Sequence, residues 1–253
     1  MRLRVMGTYG AELGQMRTTS FLLEQTVLLD AGSATQVLGV EEIQALQAVV
    51  LTHAHVDHVK SLPLLLDARM GCPTLEVYAA QPTIAALRVH LFNGELWPDL
   101  ESIPSPDNPC LRFRTIEPER PFQAGGLRFT AVEVTHTVPT VGYIVEDGTS
   151  ALAISSDTAE TERLWQLVRA HPAVRAAIVE VSYPSRLHAI AEASKHLSTV
   201  NLERELAKIP EGVAVYLTHL KPVFLEEILA ELEPIRRRHP HVRLLQQDQS
   251  LEL

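Results

Sequence analysis

Short apolar runs alternate with segments of helical periodicity from one end of this chain to the other. Leu3 to Met6, Ser20 to Leu23 and Val27 to Leu29 read as sheet-forming segments, and Ala48 to Leu51 as a buried strand. Val59 to Asp67 then predicts a helix, Leu75 to Ala79 a strand, and Pro82 to Phe92 a second helix, with Pro82 tolerated near its start. From Glu101 to Pro109 there are three prolines and no period, so this stretch predicts a loop.

Glycines punctuate the middle of the chain. Gly125-Gly126 marks a hairpin between Pro121-Phe122 and Leu127 to Val134, and Asp147-Gly148 joins Gly142 to Val145 with Ala151 to Ile154. Strands at Ala176 to Val181 and Val213 to Leu217 follow, with helices at Ser198 to Lys208 and Val223 to Arg238 and a closing strand near Val242 to Leu245. Each half offers meander strands and then helices, which predicts an α/β fold of two sheets packed face to face with helices outside. There is no internal repeat or low-complexity segment, and residues 1–253 are read as one domain.

Composition narrows the function classes. The 46% apolar content is ample for a core of this size, and a net charge of −9 disfavours a surface that collects nucleic acid. A small phosphorylated substrate stays open, because bound divalent cations reverse the local field. Two cysteines, Cys72 and Cys110, lack Cys-x-x-Cys spacing and read as reduced thiols. Met1 to Thr8 lacks the apolar core of a signal peptide, and no stretch approaches the ~20 apolar residues that cross a bilayer. A cytoplasmic protein without a membrane partner is therefore expected.

The candidate chemistry lies in Thr52-His53-Ala54-His55-Val56-Asp57-His58, directly behind an apolar strand. Imidazole and carboxylate are the usual Zn²⁺ ligands where thiolates are absent, and this turn supplies His53, His55, Asp57 and His58. Further ligands are expected where later strands end at the same sheet edge. His136 closes the strand ending at Val134, Asp157 follows Ala153 to Ser156, and His219 follows Val215 to Thr218. Singly, each reads more readily as a surface or hydrogen-bonded residue than as a ligand; as an ordered set they predict a metal site. Two divalent ions there would lower the pKa of a shared water, hold the hydroxide in line with phosphorus and neutralise the non-bridging oxygens. Zn²⁺ is the first expectation, and the same ligands accept Mn²⁺ or Fe²⁺.

The set resembles the His-x-His-x-Asp-His motif and later single His, Asp and His ligands of the metallo-β-lactamase superfamily. That resemblance implies an αββα sandwich of two packed mixed β-sheets with helices on the outer faces. It also implies that His53, His55 and His136 hold one ion, that Asp57, His58 and His219 hold the other, and that Asp157 bridges them. Finer likeness comes from His58 to Asp67, Leu91 to Asp99, His136 to Pro139, Val141 to Tyr143, Glu180 to Pro184, Lys195 to Thr199 and Thr218 to Pro222. These segments resemble class II cyclic-nucleotide phosphodiesterases along nearly the whole chain. Two departures lie near the expected pocket: Lys60-Ser61, where the family often has a small residue, and Lys195, where it usually has glycine.

The resemblance implies hydrolysis of a 3′,5′-cyclic nucleotide, cAMP or cGMP, to the 5′-nucleotide, and a homodimer. Asp57 would orient the attacking hydroxide. His196 would protonate the leaving 3′-oxygen, with Glu180 hydrogen-bonded to its ring to favour the acid form; the simpler reading makes His196 a surface residue at a helix start. Asn93 and Trp97 fall in a segment read as a lid or pocket wall. Trp97 offers a face for stacking a purine, although core or interface filling is the commoner use of such a residue. Rival activities within the superfamily are tRNA 3′-end processing and lactone or thioester hydrolysis, and a rival of another class is a non-catalytic metal-binding signalling module. No long Lys/Arg-rich insertion is present to grip RNA, and the complete ligand set argues against a degenerate site. Metal analysis of the loaded protein is expected to return about two divalent ions per chain, and fewer than about one would defeat the dinuclear reading.

Overall fold

The computed structural model describes residues 1–253. Two seven-stranded sheets carry the fold. In spatial order the first contains Ser250–Glu252, Arg2–Gly7, Ser20–Leu23, Val27–Leu29, Ala48–Val50, Leu75–Ala80 and Leu111–Ile116. The second contains Val242–Leu244, Ala214–Thr218, Val174–Glu180, Ala151–Ile154, Thr140–Glu146, Leu127–Val134 and Phe122–Ala124. Both are mixed. Val27–Leu29 pairs antiparallel with Ser20–Leu23 but parallel with Ala48–Val50, and Ala151–Ile154 pairs antiparallel with Thr140–Glu146 but parallel with Val174–Glu180.

Side-chain alternation sorts these strands into layers. Ala48, Val50, Val27 and Leu29 meet Phe129, Tyr143, Leu152 and Ile154 in a core between the sheets. Val49 and Leu28 face the other way, into a core shared with Leu62, Leu65, Ile84 and Leu87 of the covering helices. On the second sheet Ala151 and Ala153 join Leu164, Trp165, Leu202 and Ile228 in a third core. The result is the αββα sandwich. No helix is long and apolar enough to cross a membrane.

Several elements differ from expectation. The helix expected over Val59 to Asp67 is two helices, Val56–Val59 and Leu62–Asp67, and the first begins inside the histidine turn. Pro63 sits in the first turn of the second, where its missing N–H leaves no bond unmade. The proline-rich loop contains a two-stranded ladder, Pro104–Ser105 with Asn108–Pro109. Strands Leu111–Ile116 and Ser250–Glu252 and helices Ala34–Val37, Val40–Ala45, Arg163–Ala170 and His188–Ser194 were not anticipated. Leu111–Ile116 is an edge strand whose Arg112 and Arg114 break the apolar run. The Gly125-Gly126 hairpin forms as expected, with φ of 54° and 83° supplying the left-handed turn between Ala124 and Leu127.

The two sheets are tied beneath the histidine turn, where the Tyr143 hydroxyl donates to the Leu51 carbonyl at 2.8 Å. Phe129 is fully buried there, with its ring centroid 5.4 Å from Phe122 and 5.8 Å from Tyr143. Phe129→Ala is expected to destabilise the chain by about 3–5 kcal/mol in urea unfolding, since the cavity cannot collapse between two sheets.

Candidate metal centre

Strands from both sheets end near one point, and the candidate ligands are the residues that follow them. Ala48–Val50 delivers His53, and the Val56–Val59 helix, whose N-cap is His55, turns Asp57 and His58 back toward the same point. From the second sheet come His136, Asp157 and His219. The expected ligands form two donor groups, each with ligand atoms within 4.8 Å of one another, His53, His55, His136 and Asp157, and Asp57, His58, His219 and Asp157; Glu180, His196 and His219 make a third cluster beside them. Asp157 is common to the first two. Its Oδ2 lies 3.7 Å from His53 Nε2, 3.3 Å from His58 Nε2, 3.2 Å from His219 Nε2 and 4.0 Å from His136 Nε2.

This donor set fits divalent cations. His53 Nε2 is buried without any hydrogen-bond partner, which a neutral imidazole tolerates when that nitrogen faces a ligand. Burial, reinforced by the charge on His58, pushes the His53 pKa well below the ordinary imidazole value, and burial lowers those of His55 and His136. Burial opposes ionisation of Asp157, but His219 and His58 outweigh it and hold the carboxyl well below the usual range. His58 is opposite in sense to His53: burial opposes its charge, yet Asp157 and Asp30 raise its pKa well above normal. Asp157 and Asp30 thus favour positive charge at His58, while burial disfavours it at His53, His55 and His136.

Asp30, passed over in the sequence, orients this ligand. It follows strand Val27–Leu29, and its carboxylate accepts from the Thr52 N–H at 2.9 Å, the Thr52 hydroxyl at 2.9 Å and His58 Nδ1–H at 2.8 Å. The last bond leaves His58 Nε2 as the atom facing Asp157. A polar residue past an apolar strand was the available signal, the same one that found His219.

Glu180 and His196 are brought together as expected. His196 Nδ1–H donates to Glu180 Oε1 at 2.7 Å, and the ring stacks on His219 at 5.3 Å and meets His136 edge-on at 4.9 Å. Burial works against its charge, but Glu180 raises its pKa. His196 is 7% exposed, which removes the reading of a surface helix-start residue. Asn93 and Trp97, in the segment read as a lid or pocket wall, make contacts of their own. The Asn93 carbonyl oxygen accepts from Glu95 and Leu96 N–H groups and closes its own turn, and Trp97 packs against the outer core of the first sheet.

Four residues with left-handed backbone border the centre: Asp30, Ser156, Lys195 and His219, at φ of 55°, 56°, 58° and 65°. Lys195 accounts for the glycine usual there, because only glycine adopts that conformation freely. Its carbonyl accepts from His136 Nδ1 at 3.0 Å, fixing the ring that faces His55. Asp30→Asn would turn an amide N–H against His58 Nδ1–H or leave the Thr52 donors unmet. It is expected to weaken Zn²⁺ retention about 10–100-fold against a competing chelator while the fold persists by circular dichroism.

A family model described as "Beta-lactamase superfamily domain" matches residues 25–220. A protein of Yersinia pestis named probable 3′,5′-cyclic-nucleotide phosphodiesterase is 24% identical over 223 residues, 75% of this chain and 63% of its own length. A ribonuclease Z of Methanopyrus kandleri is 34% identical over 157 residues, 57% of this chain and 50% of its own length. The chain spans between 35% and 63% of the length of the curated relatives it matches first. The crystal structure of unliganded yeast PDE1 superposes with a TM-score of 0.82 over 100% of this chain and 99% of that one, at 17% identity. With these matches and the two-sheet architecture, the chain belongs to the beta-lactamase superfamily and has the metallo-β-lactamase fold.

Proposed function

We propose that this protein is a metal-dependent phosphodiesterase that opens 3′,5′-cyclic nucleotides to 5′-nucleotides. The observation that carries the reading is the buried Glu180–His196 pair, 2.7 Å across, lying against His136 and His219. An alkoxide leaves phosphorus slowly without a proton, and an acid beside the ligand cluster meets that need. Carboxylic-ester chemistry does not require the pair.

His53, His55 and His136 with Asp157 would hold one ion, and Asp57, His58 and His219 with Asp157 the other. Bound divalent ions would supply Lewis-acid polarisation of the phosphoryl oxygens and activation of water. Zn²⁺ is the first choice for such ligands, ahead of Mn²⁺ or Fe²⁺. Asp57 would accept a hydrogen bond from the attacking hydroxide and orient its lone pair toward phosphorus, the hydroxide's own proton remaining on the 5′-phosphate formed. As the new P–O bond forms and the P–O3′ bond breaks, His196 gives its Nε2 proton to the 3′-oxygen, because Nδ1–H is committed to Glu180. Glu180 stabilises the protonated ring before transfer.

The Yersinia pestis relative supports this reading by its name. A ribonuclease-Z-like action on linear RNA is the second reading, favoured by 34% identity to the Methanopyrus kandleri protein and opposed by the net charge of −9. A panel of cAMP, cGMP, 2′,3′-cyclic nucleotides, bis-p-nitrophenyl phosphate and precursor tRNA under several metals separates them. Turnover favouring a 3′,5′-cyclic nucleotide is expected, and preference for the RNA would transfer the assignment to the second reading. His196→Ala should lower kcat on the cyclic substrate about 10²–10⁴-fold with metal content unchanged. An unchanged rate would remove the acid role.

A further inference from the structure

Ser182 stands between His219 and the Glu180–His196 pair and has no part in the chemistry described above. Its side chain is fully buried, and its Oγ lies 2.9 Å from Glu180 Oε2, 3.0 Å from His219 Nδ1, 3.2 Å from the His219 carbonyl and 3.3 Å from His196 Nδ1. A hydroxyl has one hydrogen and two lone pairs, so these four neighbours cannot all be served in the same way.

The hydrogens can be placed one by one. Glu180 Oε2 and the His219 carbonyl only accept, and the nearer, charged oxygen takes the serine hydrogen. His196 Nδ1 is 2.7 Å from Glu180 Oε1 and places its own proton there. His219 Nδ1 is then the donor into Ser182 Oγ. With its proton on Nδ1, a neutral imidazole keeps its lone pair on Nε2. His219 Nε2 is the atom facing Asp157 Oδ2 at 3.2 Å and Asp57 Oδ2 at 3.4 Å.

We infer that Ser182 is a positioning residue that fixes the tautomer of His219 and thereby sets how tightly the Asp57, His58, Asp157 and His219 group holds its ion. The inference rests on the metal reading given above and not on the identity of the substrate. The same hydroxyl occupies Oε2 of Glu180, while His196 and the Thr158 N–H, at 2.9 Å, occupy Oε1. A ligand histidine and the proposed proton donor are thus tied to one carboxylate. Backbone bonds fix the serine: its N–H donates to the Leu197 carbonyl at 2.9 Å, and its carbonyl accepts from Lys221 N–H at 3.3 Å. Gly10 closes the other side of His219, where an added Cβ would lie 2.6 Å from Cε1. The ring has little room to turn and seek another acceptor.

The test is metal release from the loaded full-length chain into a graded chelator series. Ser182→Ala is expected to lose one of its two ions about 10–100-fold more readily than the parent and to keep the other unchanged. Ser182→Thr, which retains the hydroxyl, should restore the parental release. Equal loosening of both ions with a lowered Tm would mean a merely structural role and overturn the inference, as would parental release from the alanine variant. Should the variants fail to fold, nitrogen NMR of His219 in the loaded parent decides alone: a proton on Nδ1 supports the inference, and Nδ1 without one overturns it. None of these readouts uses a nucleotide. A parent inactive on cyclic nucleotides would sink the phosphodiesterase reading and leave Ser182 standing, whereas a parent that retains no ion would overturn both.

Discussion

One carboxylate oxygen, Oδ2 of Asp157, lies within 4.0 Å of nitrogens from four histidines, and the loops around it are arranged by that requirement. A buried carboxylate without positive partners costs several kcal/mol, and buried imidazoles crowded together resist charging. Positive charge close to Asp157 offsets that cost, and His58, whose pKa Asp157 and Asp30 raise, lies 3.3 Å away. The fold family implies divalent cations, and this His/Asp cluster is where they would bind. His53 and His58, neighbours at 4.2 Å between ring centroids, have opposite protonation preferences, because burial and the charge on His58 lower the one while Asp157 and Asp30 raise the other.

The candidate ligands are held by an outer ring of partners that never reach the centre. Asp30 holds His58 and the Thr52 backbone, Ser182 meets His219, and the Lys195 carbonyl meets His136. Several of these groups stand on left-handed backbone that ordinary residues adopt at a cost of order 1–3 kcal/mol each. Close approach adds a second constraint. An added Cβ on Gly32 would lie 2.1 Å from the Asp57 carbonyl, so the loop behind Asp30 can pass under the ligand helix only with glycine there. The two-sheet core and the strained edge are coupled: rigid strands below are what allow unfavourable backbone above.

Legibility in the sequence followed locality. The histidine turn, the strands around it and the two glycine turns declare themselves because their signals lie within a few residues. Short helices such as Ala34–Val37 and edge strands such as Ser250–Glu252 did not, since they owe their form to neighbours distant in sequence. The split of the helix after Asp57 was missed for a related reason: Leu62 to Leu66 continues an apolar pattern across Ser61, but the backbone there is also drawn to the Ala31 loop, where Ser61 N–H donates to the Ala31 carbonyl at 2.8 Å. Trp97 shows the converse, a conspicuous side chain whose packing against an outer core was the commoner of two readings that the local pattern alone left open.

By itself the sequence determined the candidate ligand types, their order and the strand ends that carry them, because metal chemistry restricts residue identity and strand periodicity restricts position. Only the tertiary structure decided which nitrogen of each histidine faces Asp157, and that Asp30, Ser182 and the Lys195 backbone orient those rings. Hydrogen-bond direction depends on which acceptor is within about 3 Å, and those acceptors come from chain segments brought together only when both sheets close.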